Sequence, residues 1–143
     1  MNINYALRKI TETEFRFNYD FDYSSFDPKD LGFQLGQNIK AELNESLLKV
    51  SFTVVYIYSD NEIELARNSV CLDFFLDPID DVIKLDENDN VITGQEDLID
   101  TFLNITIGTL RGIMMKNLRN TPLEQYYLPL IPRKFFQKLR KES

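Results

Sequence analysis

The acidic segment between Asp77 and Asp81 contains the carboxylates whose spacing could support acid–base chemistry. Asp77, Asp80 and Asp81 are close in sequence, and neighbouring carboxylates raise the pKa of one of them, as a general acid requires. Pro78 interrupts the segment, and its neighbours provide no basic setting that would tune such a pair. We therefore interpret this segment as a solvated acidic loop.

A second set of oxygen ligands follows, and it matches part of a calcium-binding loop. Asp86, Asn88 and Asn90 occupy alternate positions, as the first three ligands of an EF-hand do. The position that requires glycine is Val91, and the last ligand position is Asp97 instead of glutamate. We expect a solvated turn here and predict no metal site.

The rest of the catalytic inventory is small. The chain has no histidine, five glycines without a phosphate-loop spacing, and one cysteine, Cys71, in an apolar run where a buried thiol is expected. Without imidazole, Ser-His and Cys-His pairs and His-based zinc sites are excluded. A net charge of −7 disfavours phosphate backbones. We predict no enzyme, no cofactor and no nucleic-acid partner.

The length of 143 residues predicts a single domain, residues 1–143. The N-terminus lacks the basic and apolar pattern of a secretory signal, and no apolar run reaches the length of a membrane span. We therefore expect a cytoplasmic protein without a membrane partner. The basic, amphipathic end from Pro132 to Lys141 predicts a solvated terminal helix.

Four segments have the patterns of β-strands, and one has the pattern of a long helix. The strands are predicted at Tyr5–Phe21, at Ile39–Leu43, at Leu48–Tyr58 and at Glu62–Leu76, the last three as an antiparallel meander. Thr93 and Glu96 form a candidate capping box, from which apolar residues recur at helical spacing to about Asn120.

The loop after the first predicted strand is unusually aromatic. Its aromatic residues, within or beside the loop, are Tyr19, Phe21, Tyr23, Phe26 and Phe33. Contiguous exposed aromatic side chains mark an oligomer interface or a groove for apolar partners. Alternatively they fold under the loop as a satellite cluster of the core. Both interpretations stay open, as they do for Met115, which is either a core residue or part of an adaptable surface.

Three segments resemble the SecB chaperone family. Ala6–Ile10 followed by Glu14–Phe17 resembles its opening strand, and Leu103–Leu118, with Gly108–Ile113, resembles its long helix. Thr121–Leu123, continuing through Leu128–Ile131 to Phe135-Phe136, resembles the segment that follows that helix. The likeness extends over most of the chain.

The resemblance implies an α+β fold, in which a long helix and a short C-terminal helix pack on one face of a four-stranded antiparallel sheet. It also implies dimers that pair into tetramers, and a groove that holds unfolded or export-bound polypeptides without ATP. In this chain the client-binding residues would be Phe21, Tyr23, Phe26, Phe33, Val55, Ile57, Met115, Tyr126 and Leu128.

The family's contact with the export motor SecA uses acidic residues, and only Glu14 matches one of them here. Asn18 and Arg67 stand where other acidic residues are expected, and the tail is basic. A SecB-like protein that acts alone and one linked to a toxin–antitoxin system both fit these departures. The main alternative is a homo-oligomeric accessory protein whose aromatic surface is used entirely in self-assembly. A third is an enzyme or small-ligand carrier with a cavity between sheet and helix.

Overall fold

Four long strands form one antiparallel sheet in the computed structural model, which describes residues 2–59 and 63–129. The sheet order is β1-β4-β3-β2. The strands are β1 (Asn4–Phe17), β2 (Leu31–Glu42), β3 (Leu47–Tyr58) and β4 (Ile63–Asp77). β2, β3 and β4 form the predicted meander, whereas β1 lies beside β4, so that residues 18–30 carry the chain across to the opposite edge. We call residues 18–30 the crossover loop.

One face of the sheet carries the core. Alternate residues of β3 and β4 are fully buried on this face, because successive side chains of a strand point to opposite sides. They include Leu48, Val50, Phe52, Val54, Tyr56, Val70, Leu72, Phe74 and Leu76. The other face, which we call the open face, carries polar pairs such as Thr53 and Ser69, whose hydroxyls are 2.7 Å apart.

A long helix covers the core face. Between β4 and this helix lie a short helix α1 (Ile79–Val82) and two paired short strands, β5 (Lys84–Leu85) and β6 (Val91–Ile92). The long helix, α2 (Glu96–Asn117), buries residues at three- and four-residue steps against the sheet. Phe102 of α2 stacks on Phe74 with ring centroids 4.2 Å apart. The predicted α+β arrangement of a four-stranded antiparallel sheet and a long helix is therefore confirmed.

Helix α2 also has the length and hydropathy of a membrane-spanning helix. Nearly half of its most apolar window, 44%, is buried against the rest of the protein. A core helix that packs on a sheet meets the same criteria of length and composition, so this is weak support for a membrane span.

The helix begins later than the capping box predicts. The Thr93 hydroxyl donates to the carbonyl of Val82 at 2.7 Å and accepts from the Gln95 amide at 3.0 Å. It therefore ties α1 to the turn before the helix instead of capping it, and α2 starts at Glu96 with no side-chain cap. The C-terminal end is also earlier than predicted, at Asn117.

Other boundaries differ from the predictions as well. β1 ends at Phe17, so Tyr19 belongs to the crossover loop, and β2 starts at Leu31, eight residues before the predicted Ile39. The predicted acidic loop contains α1, whose Ile79 is buried. Cys71 is half-buried because it lies on the open face. The predicted terminal helix at 132–141 lies outside the described residues.

Candidate functional site

Aromatic rings from three parts of the chain meet where the crossover loop reaches the sheet. We call this cluster the aromatic corner, and its members are Phe21, Tyr23, Phe26, Tyr58 and Tyr126. The Phe21 ring lies 4.9 Å from those of Tyr23 and Tyr58, and the Phe26 ring lies 5.3 Å from those of Tyr58 and Tyr126. These separations are typical of attractive aromatic pairs. The corner is half-buried.

Two short 3₁₀ turns shape the crossover loop, and aspartates cap both of them. The Asp22 carboxylate accepts from the Ser24 amide at 3.1 Å and from the Ser24 hydroxyl at 2.6 Å, and these hydrogen bonds lower the pKa of Asp22. The Asp27 carboxylate accepts from the Lys29 amide in the same way. Aspartates and serines thus build the turns locally, while the aromatic rings between them reach the corner.

Tyrosine hydroxyls fasten the crossover loop to the sheet and join two parts of the loop to each other. The Tyr58 hydroxyl accepts from the Asp27 amide at 3.0 Å and donates to the carbonyl of Ser25 at 3.3 Å. The Tyr23 hydroxyl donates to the carbonyl of Asn18 at 2.8 Å, and burial raises the pKa of Tyr23 to about 12. The rings therefore contribute both apolar surface and fixed orientation to the corner.

A half-buried stripe leads from the corner along β2. Its members lie on the core side of this edge strand, and they are Phe33, Leu35, Gln37, Ile39 and Ala41. The Phe33 ring packs edge-on against the buried Tyr56 at 4.8 Å, which joins the stripe to the corner. From Phe33 to Ile39 the stripe is about 20 Å long, at roughly 3.4 Å per residue.

A cavity of about 430 Å³ lies at the far end of the stripe. β2 contributes Gln37, Asn38 and Ile39 to its wall, and the opposite wall comes from 90–93, Glu96 and Ile99. Gln37 has a buried side-chain oxygen without a hydrogen-bond partner among the described residues. Corner, stripe and cavity follow one another along this edge of the sheet, and we call them together the groove.

The structure brings together some of the predicted client-binding residues. Phe21, Tyr23, Phe26 and Tyr126 meet in the corner, and Phe33 begins the stripe beside it. Leu128 is buried in the core, with 2% of its surface exposed.

Three other predicted residues do not lie in the groove. Val55 and Ile57 flank Tyr56 in β3, and since Tyr56 points into the core, both of these side chains point to the open face. Met115 is exposed on α2 next to the buried Met114. The apolar composition of residues 54–58 does not reveal which side chains share a face, so sequence reasoning grouped residues that the sheet separates.

Sequence reasoning also missed several groove residues. Tyr58 was included only in a strand, although it lies two residues after Tyr56, the partner of Phe33, and therefore on the same face as Phe33. Leu35 and Gln37 lie in the part of β2 that contains Gly32 and other residues of low β-propensity, which hides the strand.

Glu14 lies on the open face within a set of ion pairs. Its carboxylate is 3.1 Å from Arg16 and 3.9 Å from Arg67, and Arg67 in turn contacts Glu64 at 2.8 Å. The hydrogen bond to Glu64 raises the pKa of Arg67. Because two guanidinium groups offset two carboxylates, these four described side chains carry no net negative charge.

The acidic segments show no metal-binding geometry. The Asp86 carboxylate accepts from the backbone amides of Asn88 and Asn90 at 2.8 and 2.9 Å, and these bonds lower its pKa. Its oxygens thus close a turn. Within residues 2–59 and 63–129, acidic residues and Cys71 form no group that could hold a metal ion.

Comparisons with known proteins identify the fold. The chain matches no family model and no curated protein sequence. Among solved structures it is similar to the SecB-like chaperone Rv1957 of Mycobacterium tuberculosis, solved in complex with a ChAD peptide from the antitoxin HigA1. The identity is 12%, the match covers 90% of each chain, and the TM-score is 0.58. The sheet order, the crossover loop and the long helix described above are thus those of a SecB-like fold.

Proposed function

We propose that this protein is an ATP-independent holdase that binds unfolded or export-competent polypeptides in the groove. The observation that carries the proposal is the arrangement of the groove, in which half-buried aromatic and aliphatic side chains lead from the corner to a cavity. Such a surface suits an extended chain with apolar side chains at intervals. The peptide bound by Rv1957 supports this assignment by analogy of fold.

Burial of apolar surface supplies enough free energy for such binding. Each large client side chain that is fully buried contributes about 1.5–3 kcal/mol. Four or five such side chains give a total of about 6–15 kcal/mol before the costs of association and of ordering the client. A micromolar affinity, about 8 kcal/mol, remains when that total is near 12 kcal/mol and the costs are near 4 kcal/mol. A holdase of this kind needs no catalytic residue, and we propose that the protein is not an enzyme.

The proposal includes self-assembly into a homodimer or homotetramer. β1 is an edge strand, and Tyr5, Leu7 and Ile10 on its core side are 51%, 43% and 49% exposed. A long edge strand with exposed apolar side chains is a template for pairing with another chain. The second candidate function is a homo-oligomeric accessory protein, for which another copy would also cover the groove at the opposite edge of the sheet.

Docking to SecA through Glu14 is not part of the proposal. Arg16 and Arg67 already surround the Glu14 carboxylate, so a partner that seeks an acidic surface finds a balanced one. We propose a cytoplasmic protein that holds clients independently of this contact, including clients linked to a toxin–antitoxin system.

Replacing Phe26 tests the proposal. Phe26→Ser removes a ring that contacts Tyr23, Tyr58 and Tyr126, so we expect at least a tenfold weaker affinity for a carboxymethylated, permanently unfolded protein. Titration by calorimetry measures this affinity, and suppression of client aggregation gives an independent readout.

Tyr19→Ser is the matched control, because Tyr19 belongs to the same loop but is 80% exposed and outside the corner. It should bind the client as the wild type does. If the wild-type protein binds no unfolded client at any temperature at which it stays folded, the holdase proposal fails. If Phe26→Ser changes the oligomer instead of client affinity, the accessory-protein alternative is favoured.

A further inference from the structure

The segment after α2 folds back over the protein as a strap. We use this name for residues 121–129. Two of its leucines, Leu123 and Leu128, are buried in the core. Between them, the Tyr126 amide donates to the carbonyl of Leu123 at 3.0 Å, and the Tyr126 ring contacts Phe26 of the aromatic corner. The strap is therefore one wall of the corner.

Two side chains from other elements hold the strap by its backbone. Arg111 of α2 donates from Nε to the carbonyl of Leu128 and from Nη2 to that of Pro129, both at 2.8 Å. Tyr56 of β3 donates from its hydroxyl to the carbonyl of Tyr126 at 2.6 Å. Main-chain carbonyls accept these three bonds, so Arg111 and Tyr56 hold the strap in addition to the burial of Leu123 and Leu128.

The guanidinium group of Arg111 makes its hydrogen bonds with the strap. In the described part of the chain Arg111 makes no ion pair, and the carbonyls of the strap are its hydrogen-bond partners. Hydrogen bonds from an ionised donor are roughly twice as strong as those between neutral groups. The planar guanidinium also spans two consecutive carbonyls, which a single amine cannot do.

In the position that Arg111 and Tyr56 fix, the strap covers part of the proposed client-binding site. Leu128 is only 2% exposed, and the Tyr126 ring lies against Phe26, 5.3 Å away. A client can contact Leu128 or insert between these two rings only when the strap moves. Strap position and client binding must then compete for the same surface.

The geometry points to Arg111 as a positioning residue that latches the strap over the aromatic corner and so limits access to it. This inference rests on the proposed function for its client, but the latch itself is a property of the free protein. Releasing the latch raises the fraction of molecules with an open corner, and apparent affinity rises in proportion to that fraction.

Arg111→Gln in the full chain tests the latch. Glutamine keeps helix propensity and a polar side chain but loses the guanidinium that spans two carbonyls. We expect hydrogen exchange of the strap amides, such as that of Tyr126, to accelerate about tenfold, while exchange in β3 stays unchanged. Binding of an apolar dye should increase, and the dissociation constant for the carboxymethylated client should fall several-fold.

Three further variants separate the latch from general destabilisation. Arg119→Gln removes an exposed arginine two turns further along the chain, whose side chain does not hold the strap, and should change none of these readouts. Arg111→Lys keeps the charge and one donor direction, and should fall between wild type and Arg111→Gln. Tyr56→Phe removes a single hydroxyl and should accelerate strap exchange in the same direction.

The possible results of these measurements contradict different parts of the inference. Unchanged strap exchange in both Arg111→Gln and Tyr56→Phe overturns the latch. Faster exchange with unchanged dye and client binding overturns the control of access. Failure of the wild-type protein to bind client overturns the proposed function alone, because exchange and dye binding are measured without client.

Discussion

At the scale of single residues, the hydroxyl groups of tyrosine decide how the aromatic corner is oriented. Tyr56 and Tyr58 each direct a hydroxyl to a carbonyl of another segment, at 2.6 and 3.3 Å, and Tyr23 directs its hydroxyl to the carbonyl of Asn18 in its own loop at 2.8 Å. A phenylalanine at any of these positions would provide the same apolar surface but would leave the carbonyl to find another donor. Each such bond contributes about 0.5–1.5 kcal/mol to stability. The aromatic rings of the corner thus form apolar contacts, whereas hydroxyl groups hold the rings in place through hydrogen bonds to carbonyls.

Tyr23 gives a prediction about alkaline pH. Burial raises the pKa of Tyr23 from 10.0 to about 12, and burial also raises the pKa of Tyr56. The unfolded chain therefore releases these protons at lower pH than the folded chain. Their contribution to stability is complete below about pH 10 and is lost as the pH rises toward 12.

Tyr23→Phe should consequently weaken the pH dependence of the midpoint of urea unfolding between pH 9 and 11.5. The variant should also be less stable than wild type at pH 7, because the bond to the carbonyl of Asn18 is lost. Tyr19→Phe, at an exposed position, is the control and should retain the wild-type slope. An unchanged slope in Tyr23→Phe would contradict the assigned burial of this hydroxyl.

At the scale of elements, β1 is the strand whose surroundings are least complete. Two irregularities, between Leu7 and Lys9 and between Glu12 and Glu14, shift its register against β4. The first irregularity shifts the alternation of side chains by one residue, so that Leu7 and Ile10 lie on the same side, the core side, and Glu12 follows them there. The strand therefore presents an apolar edge that the described residues leave uncovered.

Charges placed on this edge should reduce self-assembly. In Leu7→Lys combined with Ile10→Lys, both side chains are more than 40% exposed in the single chain, so folding should be retained. We expect the solution mass, measured by light scattering, to decrease toward that of one chain of 16.8 kDa. Thr13→Lys, an exposed substitution at the second irregularity, is the control. An unchanged mass in the double variant would assign assembly to another surface.

The elements that could be predicted from sequence are those with an uninterrupted pattern. β3 begins with apolar alternation and continues with an unbroken run of residues of strong β-propensity from Phe52 to Tyr58, and both of its ends fall within a residue of the prediction. β2 contains Gly32, Gly36 and two glutamines, and its strand character depends on pairing with β3 along its whole length. Such tertiary pairing is not visible in local composition.

The candidate site could be predicted only in part, for a similar reason. Phe21, Tyr23 and Phe26 were identifiable because aromatic side chains are unusual in a turn-rich loop. Tyr58 and the cavity beside Gln37 depend on which elements the topology brings together. The β1–β4 pairing and the strap bring the residues of the corner together, and residues 90–99 close the cavity against β2. The local sequence does not reveal these contacts between distant segments.

At the scale of the whole molecule, a polar clasp joins three elements that are distant in sequence. The buried Asn68 of β4 donates to the Glu12 carboxylate of β1 at 3.0 Å and to the carbonyl of Glu14 at 2.7 Å. Asn117, the last residue of α2, donates to the side chains of Glu12 and Asn68 at 2.6 and 2.9 Å. The clasp fixes the C-terminal end of α2 over the edge of the sheet.

Asn68→Leu should therefore destabilise the protein strongly. The substitution retains side-chain volume but leaves the Glu14 carbonyl without its partner and removes one of the two acceptors of the Asn117 amide, at a cost of about 2–3 kcal/mol. Urea unfolding followed by circular dichroism measures this change. Asn104→Leu, at an exposed position of α2, should cost less than about 0.5 kcal/mol. Equal stability of the two variants would contradict a structural role for the clasp.

The position of β1 at the far edge of the sheet also constrains the order in which the chain can fold. β2, β3 and β4 are neighbours in sequence and pair through short connections, whereas the partner of Asn4 in β1 is Asp77. Contacts between distant residues form late, since a long loop must close first. During synthesis, β1 and the crossover loop must wait until β4 has emerged. Tyr58 anchors that loop, and it takes its place in the sheet when β3 pairs with β2 and β4, before the crossover loop packs on it. The aromatic corner is therefore among the last parts of the protein to form.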